Sequence, residues 1–119
     1  MTTALIVDDS RVSRMMIRAI ISDTKPGWNI LEAGSGDEAL SITENEPPDI
    51  MLLDYNMPGM DGLTLSEKLK DKFPNANISL LTANIQDSTQ QKAADLGIAF
   101  IGKPITDEKI RGIIKASGI

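Results

Sequence analysis

Five short apolar runs, separated by segments with helical spacing, constrain this chain more than any other feature. The runs are ALIV (4–7), WNILEA (28–33), DIMLLD (49–54), ISLLTA (78–83) and IAFI (98–101). Each is rich in Ile, Leu, Val or Ala and short, so each reads as a strand, most of them buried on both faces. Such a sheet needs helices on both sides, and the intervening segments supply them. Val12, Met15, Met16, Ala19 and Ile20 form one apolar stripe in the first, with Arg11, Arg14 and Arg18 along another side. SGDEALSITEN is a second helix, stopped by Pro47 and Pro48, and GLTLSEKLKDKF carries Leu65, Leu69 and Phe73 on one face before Pro74. DSTQQKAADL ends at Gly97, a usual helix C-cap. Thr106 is the expected N-cap of a last helix, with Asp107 and Glu108 in its positive first turn and Ile110, Ile113 and Ile114 behind them.

The order βαβαβαβαβα implies right-handed crossovers and a parallel sheet covered on both faces. At 119 residues the expectation is a single domain spanning 1–119. The economical architecture is a five-stranded doubly wound sheet, flavodoxin-like order 2-1-3-4-5, with five helices. Ligands then gather at the carboxyl ends of the strands, near the switch between strands 1 and 3. Strand 1 ends in Asp8–Asp9, strand 3 in Asp54, strand 4 in Thr82–Ala83 and strand 5 in Gly102–Lys103. Strand 2, at the sheet's edge, ends in Glu32–Ala33–Gly34 and need not contribute.

Three carboxylates converging on one edge repel: two unit charges about 4 Å apart interact by roughly 4 kcal/mol at a surface-like dielectric. A divalent cation removes that cost. Seventeen acids with no His and no Cys favour a hard, oxygen-liganded metal, and Mg2+ suits a site with few protein ligands. The formal charge of -5 argues against binding to a nucleic-acid backbone. Lys103 can neutralise one carboxylate and still offer donors to an anion. Thr82 can donate to that anion, and small Ala83 leaves its backbone N–H accessible. This is the equipment of phosphoryl transfer, which needs positioning and charge neutralisation more than covalent chemistry. A carboxylate is the candidate nucleophile. Asp54, after the central strand, takes that role, with Asp8 and Asp9 as metal holders. The first apolar run has no basic segment before it and is cut at Asp8, and no segment approaches about 18 apolar residues, so a cytoplasmic, non-membrane protein is expected.

VDDS (7–10), LLDYNMPGMDG (52–62), LTA (81–83) and GKP (102–104) together resemble the receiver domain of bacterial response regulators in its single-domain, CheY-like form. The resemblance implies two-component phosphorelay signalling, with Asp54 taking a phosphoryl group from a histidine kinase or histidine phosphotransfer protein. It implies that Asp8, Asp9, Asp54 and the backbone carbonyl of Asn56 hold Mg2+, and that Thr82, Lys103 and the Ala83 backbone N–H bind the phosphoryl oxygens. Phe100 stands where such domains carry an aromatic that swings inward when the threonine moves. The Lys103–Pro104 peptide is expected to be cis. Output would pass by protein–protein contact through helix 4, strand 5 and helix 5, roughly residues 85–117, in chemotaxis-type regulation or a relay. Asn56 and Asn84 flank the path of the water that hydrolyses the acyl phosphate.

Other readings fit less of the chain. Gly97, Gly102 and Lys103 begin a phosphate-loop pattern, but Pro104 replaces its Ser or Thr. Gly34, Gly36 and Ala39 approximate a dinucleotide fingerprint, yet another strand precedes theirs. A Mg2+-dependent phosphatase of the haloacid-dehalogenase type is the alternative enzyme, and DDSRV lacks its second acid at the required offset. A receiver-like module that never accepts phosphate would have lost a key residue. Met57, Met60 and Trp28 read as packing, and the arginine stripe as a solvated face or a docking surface for an acidic kinase partner.

Overall fold

The computed structural model describes residues 1–83 and 86–119. Five strands alternate with five helices: β1 (Thr3–Val7), α1 (Arg11–Thr24), β2 (Asn29–Ala33), α2 (Gly36–Asn45), β3 (Ile50–Asp54), α3 (Gly62–Lys72), β4 (Asn77–Thr82), α4 (Asp87–Asp95), β5 (Ala99–Gly102) and α5 (Asp107–Ser117). All pairings are parallel and the spatial order is β2-β1-β3-β4-β5, as the sequence predicts. Asp54 therefore stands opposite Leu81, and Thr82 opposite Gly102.

Successive side chains of a strand point to opposite faces, so the sheet divides the interior into two layers. Leu5, Val7, Met51, Leu53 and Leu80 pack with Ala39 of α2, Leu65 and Leu69 of α3 and Ala93 of α4. Ala4, Ile6, Leu52 and Leu81 pack with Ile17 and Ile21 of α1 and Ile110, Ile113 and Ile114 of α5. Trp28 joins the second layer, and Met57 and Met60 the first, as packing residues. β3 is buried along its whole length, whereas the edge strands β2 and β5 are only partly covered.

Side chains cap four helices where polar residues precede them. Ser10, Ser35, Asp61 and Thr106 each accept a backbone N–H three residues on, which satisfies one of the donors the first turn leaves unpaired. Gly97 follows α4 with φ +73°, the left-handed conformation that glycine adopts without strain. Gly62 answers a different demand: a Cβ there would lie 2.3 Å from the carbonyl oxygen of Asp54. Only glycine lets α3 start this close to the end of β3.

One helix departs from its sequence reading. On α1, Val12, Met15 and Met16 are 67%, 59% and 46% exposed, and Ala19 faces solvent with them. Ile20 packs against the core as expected, but the fully buried positions are Ile17 and Ile21, with Arg14 on their face. Arg14 lies three residues before Ile17, and Ile17 four before Ile21, so the three share one face. An arginine heading the stripe concealed it. The arginines are accordingly not one solvated face, because Arg14 is largely covered.

Candidate functional site

The carboxyl ends of β1, β3, β4 and β5 meet in one hollow. β1 delivers Asp8, whose side chain is 1% exposed. Its backbone N–H donates to Ala33 O at 3.1 Å, and its Oδ1 accepts the Ser10 N–H at 2.8 Å. The next residue, Asp9, is exposed. β3 ends at Asp54, 4% exposed. The chain beyond it is tied down by Tyr55 N–H to Leu81 O at 2.8 Å and Gly62 N–H to Tyr55 O at 2.9 Å. Lys103 follows β5 and donates its backbone N–H to Thr82 O at 2.7 Å. Its side chain turns into the acids, with Nζ 3.0 Å from Asp54 Oδ1 and 3.5 Å from Asp8 Oδ2. The Lys103–Pro104 peptide is cis, as expected.

Burial raises the Asp54 carboxyl above its ordinary value; the Lys103 hydrogen bond works against this, and the charges of Asp8 and Asp9 add to it. Lys103 is raised too: burial opposes its charge, and the hydrogen bond and attraction from Asp54, with Asp8 behind it, outweigh that. Each group thus favours the charged form of the other through their shared contact.

Asp8, Asp9 and Asp54 each offer a carboxylate oxygen, all within 4.8 Å of one another. Two acids are buried and fixed, and the third is open to solvent. An all-oxygen set of this size, with an accessible side for water, fits Mg2+. It does not suit metals that select imidazole or thiolate ligands.

The remaining predicted residues that the structure describes lie on or just after β3, β4 and β5. Thr82 ends β4, fully buried beside β5, and Ala83 after it is exposed. Asn56 is exposed two residues beyond Asp54. Phe100, on β5, is half-buried against the layer that holds α2 and α3. Asn84 lies outside the described residues. The acids and the lysine are thus brought together by direct contact, and Thr82 by strand register.

Sequence reasoning missed Ser10, Arg14 and Glu32. Glu32 and Ala33 show that β2 does contribute, by holding neighbours of the site. In the dinucleotide-like pattern, Gly36 serves packing: a Cβ on it would meet Met60 Sδ at 2.9 Å.

Residues 4–115 match the family described as the response regulator receiver domain. The chain is 32% identical over 112 residues to sporulation initiation phosphotransferase F of Bacillus subtilis, covering 93% of this chain and 89% of that protein. It is 34% identical over 117 residues to a probable chemotaxis protein CheY of Rhizobium etli, covering 94% and 88%. It spans about half (51%) of a probable transcriptional regulatory protein, TcrX, of Mycobacterium tuberculosis, at 32% identity and 98% of this chain. Among solved structures it resembles a CheY-like receiver domain protein from Methanospirillum hungatei, with TM-score 0.89, 26% identity and coverage of 98% and 92%. It also resembles a chain of the CheX–CheY complex with BeF3 and magnesium from Borrelia burgdorferi, with TM-score 0.87, 29% identity and coverage of 99% and 90%.

Proposed function

The chain belongs to the response regulator receiver domain family, and from that premise we propose that Asp54 is its phosphoacceptor, served by Mg2+ held on Asp8, Asp9, Asp54 and the Asn56 carbonyl. The haloacid-dehalogenase phosphatase alternative is not supported, because the receiver family spans the whole set of site residues. The observation that carries the reading is the position of Lys103, whose ammonium touches both Asp54 and Asp8. A lysine so placed neutralises the acceptor before transfer and the new phosphoryl group after it.

In the proposed reaction an Asp54 carboxylate oxygen bonds to the phosphorus of a phosphohistidine on a histidine kinase or phosphotransfer protein. The P–N bond breaks, and the imidazole leaves with its electron pair and takes up a proton. Bound Mg2+ would supply positive charge to the phosphoryl oxygens. Lys103 Nζ, the Thr82 hydroxyl and the Ala83 backbone N–H would bind those oxygens from the protein side. The resulting charge of about -1.5 to -2 biases a two-state equilibrium. Thr82 and Phe100 form the switch. Phe100 has no hydroxyl, so its movement acts through packing. The output surface is α4, β5 and α5, read by protein contact, and the acting unit is the domain of residues 1–119. The structure of the related CheY in a complex with CheX, BeF3 and magnesium supports the metal and contact with a protein partner.

The test is intact-protein mass spectrometry after incubation with Mg2+ and acetyl phosphate. One base-labile phosphoryl adduct is expected, absent without metal and absent in Asp54→Asn. An adduct that persists in Asp54→Asn, or rapid turnover of unrelated phosphoesters, would sink the assignment.

A further inference from the structure

We infer that Arg14 is a positioning residue for the metal pair: its guanidinium fixes the peptide plane that joins Asp8 to Asp9, and so sets where the exposed Asp9 carboxylate lies. The inference rests on the proposed role of Asp8 and Asp9 as holders of the cation. Arg14 Nη1 donates to the carbonyl oxygen of Asp8 at 2.5 Å, and its Nε donates to Glu32 Oε1 at 3.2 Å. Glu32 Oε2 accepts in turn from Arg18 Nη1 at 3.0 Å. The arrangement is covered, not a loose surface pair: the Arg14 side chain is 18% exposed and that of Glu32 30%.

A peptide unit is planar, so the Asp8 carbonyl and the Asp9 N–H turn together. Asp8 itself is held at three points: its N–H by Ala33 O, its Oδ1 by the Ser10 N–H, and its Oδ2 by Lys103. Asp9 has left the ladder of β1 and stands in solvent, so the plane before it governs its approach to Asp8 and Asp54. Arg14 grips that plane with a charge-assisted bond, roughly twice as strong as a neutral one. Glu32 aims the grip. It stands on β2, which also holds the Asp8 N–H through Ala33 O. Lysine cannot do the same work, because one ammonium lacks the planar fork that meets the carbonyl and the carboxylate together.

The test measures the Mg2+ dissociation constant on the full chain, by metal-dependent backbone amide shifts, for the unaltered protein, Arg14→Gln, Arg14→Lys and Glu32→Gln. Acetyl phosphate labelling is followed at limiting and saturating Mg2+. Arg14→Gln should weaken Mg2+ binding about 10-fold or more, the usual effect of removing a group that orients a metal ligand. At saturating Mg2+ its labelling rate should return to within about 3-fold of the unaltered rate, which marks a loss of metal binding and not of chemistry. Arg14→Lys should recover little, and Glu32→Gln, which keeps an acceptor, should fall between. Unchanged Mg2+ affinity in Arg14→Gln and Arg14→Lys overturns the inference. Should Arg14→Gln fail to fold, unchanged affinity in Arg14→Lys and Glu32→Gln overturns it equally. If the unaltered chain shows no Mg2+-dependent shifts, the assignment of the metal holders fails before any variant is made, and this inference fails with it.

Discussion

At Asp54, burial and two neighbouring carboxylates oppose the charged form and the Lys103 ammonium favours it. The sign of the consequence for stability follows from the raised folded-state value. Below about pH 3.8, the ordinary value, both folded and unfolded chains keep the proton and the residue contributes nothing. As pH rises past that point the unfolded chain ionises first, and the folded state loses stability until Asp54 itself ionises. Asp54→Asn should therefore raise the metal-free melting temperature at pH 7. The advantage should shrink as pH falls toward 4. Calorimetry of both proteins across that range checks it, and a variant melting below the parent at neutral pH would contradict it. Lys103 has the opposite dependence. Its stabilising charge is complete below about 10.5 and is lost as pH climbs through the raised folded value.

At the scale of the elements, α1 turns two different faces to two different tasks. Arg14, Ile17 and Ile21 point inward, and Val12, Met15 and Met16 form an exposed apolar group whose helix starts two residues after Asp9. Exposed apolar groups near a candidate site suit a contact surface, and we take this face as the docking side for the proposed phosphohistidine donor. The double substitution Val12→Ser with Met15→Ser should slow transfer from a cognate phosphohistidine protein about 10-fold, a ~1.4 kcal/mol loss of contact. Labelling by acetyl phosphate should not change, since the small donor needs no docking surface. Equal slowing with both donors would place the effect inside the site instead. α1 also shows where the sequence stopped being legible. Strands announced themselves because the runs are short and rich in Ile, Leu and Val, and four of the five end at Asp or Gly. The acids and Lys103 could be placed because each follows such a run directly. Arg14 could not, because an inward arginine breaks the apolar pattern by which a buried face is found. The part played by β2 was hidden for another reason. Ala33 acts through a carbonyl oxygen, which side-chain patterns do not display, and Glu32 acts through a partner 18 residues away.

Across the whole molecule, the strand order brings Asp9 and Asp54 together although 45 residues separate them in sequence. A cation held by β1 and β3 binds the folded chain and has no comparable site in the unfolded one. Mg2+ at 100 times its dissociation constant should then stabilise the protein by about 2.7 kcal/mol. Thermal unfolding against Mg2+ concentration measures this, and Asp8→Asn should abolish most of it. A melting temperature indifferent to Mg2+ would argue against a shared site. The last two carbonyls of β4 have a consequence of their own: Leu81 O takes the N–H that follows the proposed acceptor, and Thr82 O takes the N–H of the lysine. β4 thus works as a yoke, with the two reactive partners harnessed one to each side. Its main chain cannot slide toward an incoming anion without unhitching one of them. A signal from the proposed switch residue Thr82 would then leave through rotation of its side chain, while the yoke stays still.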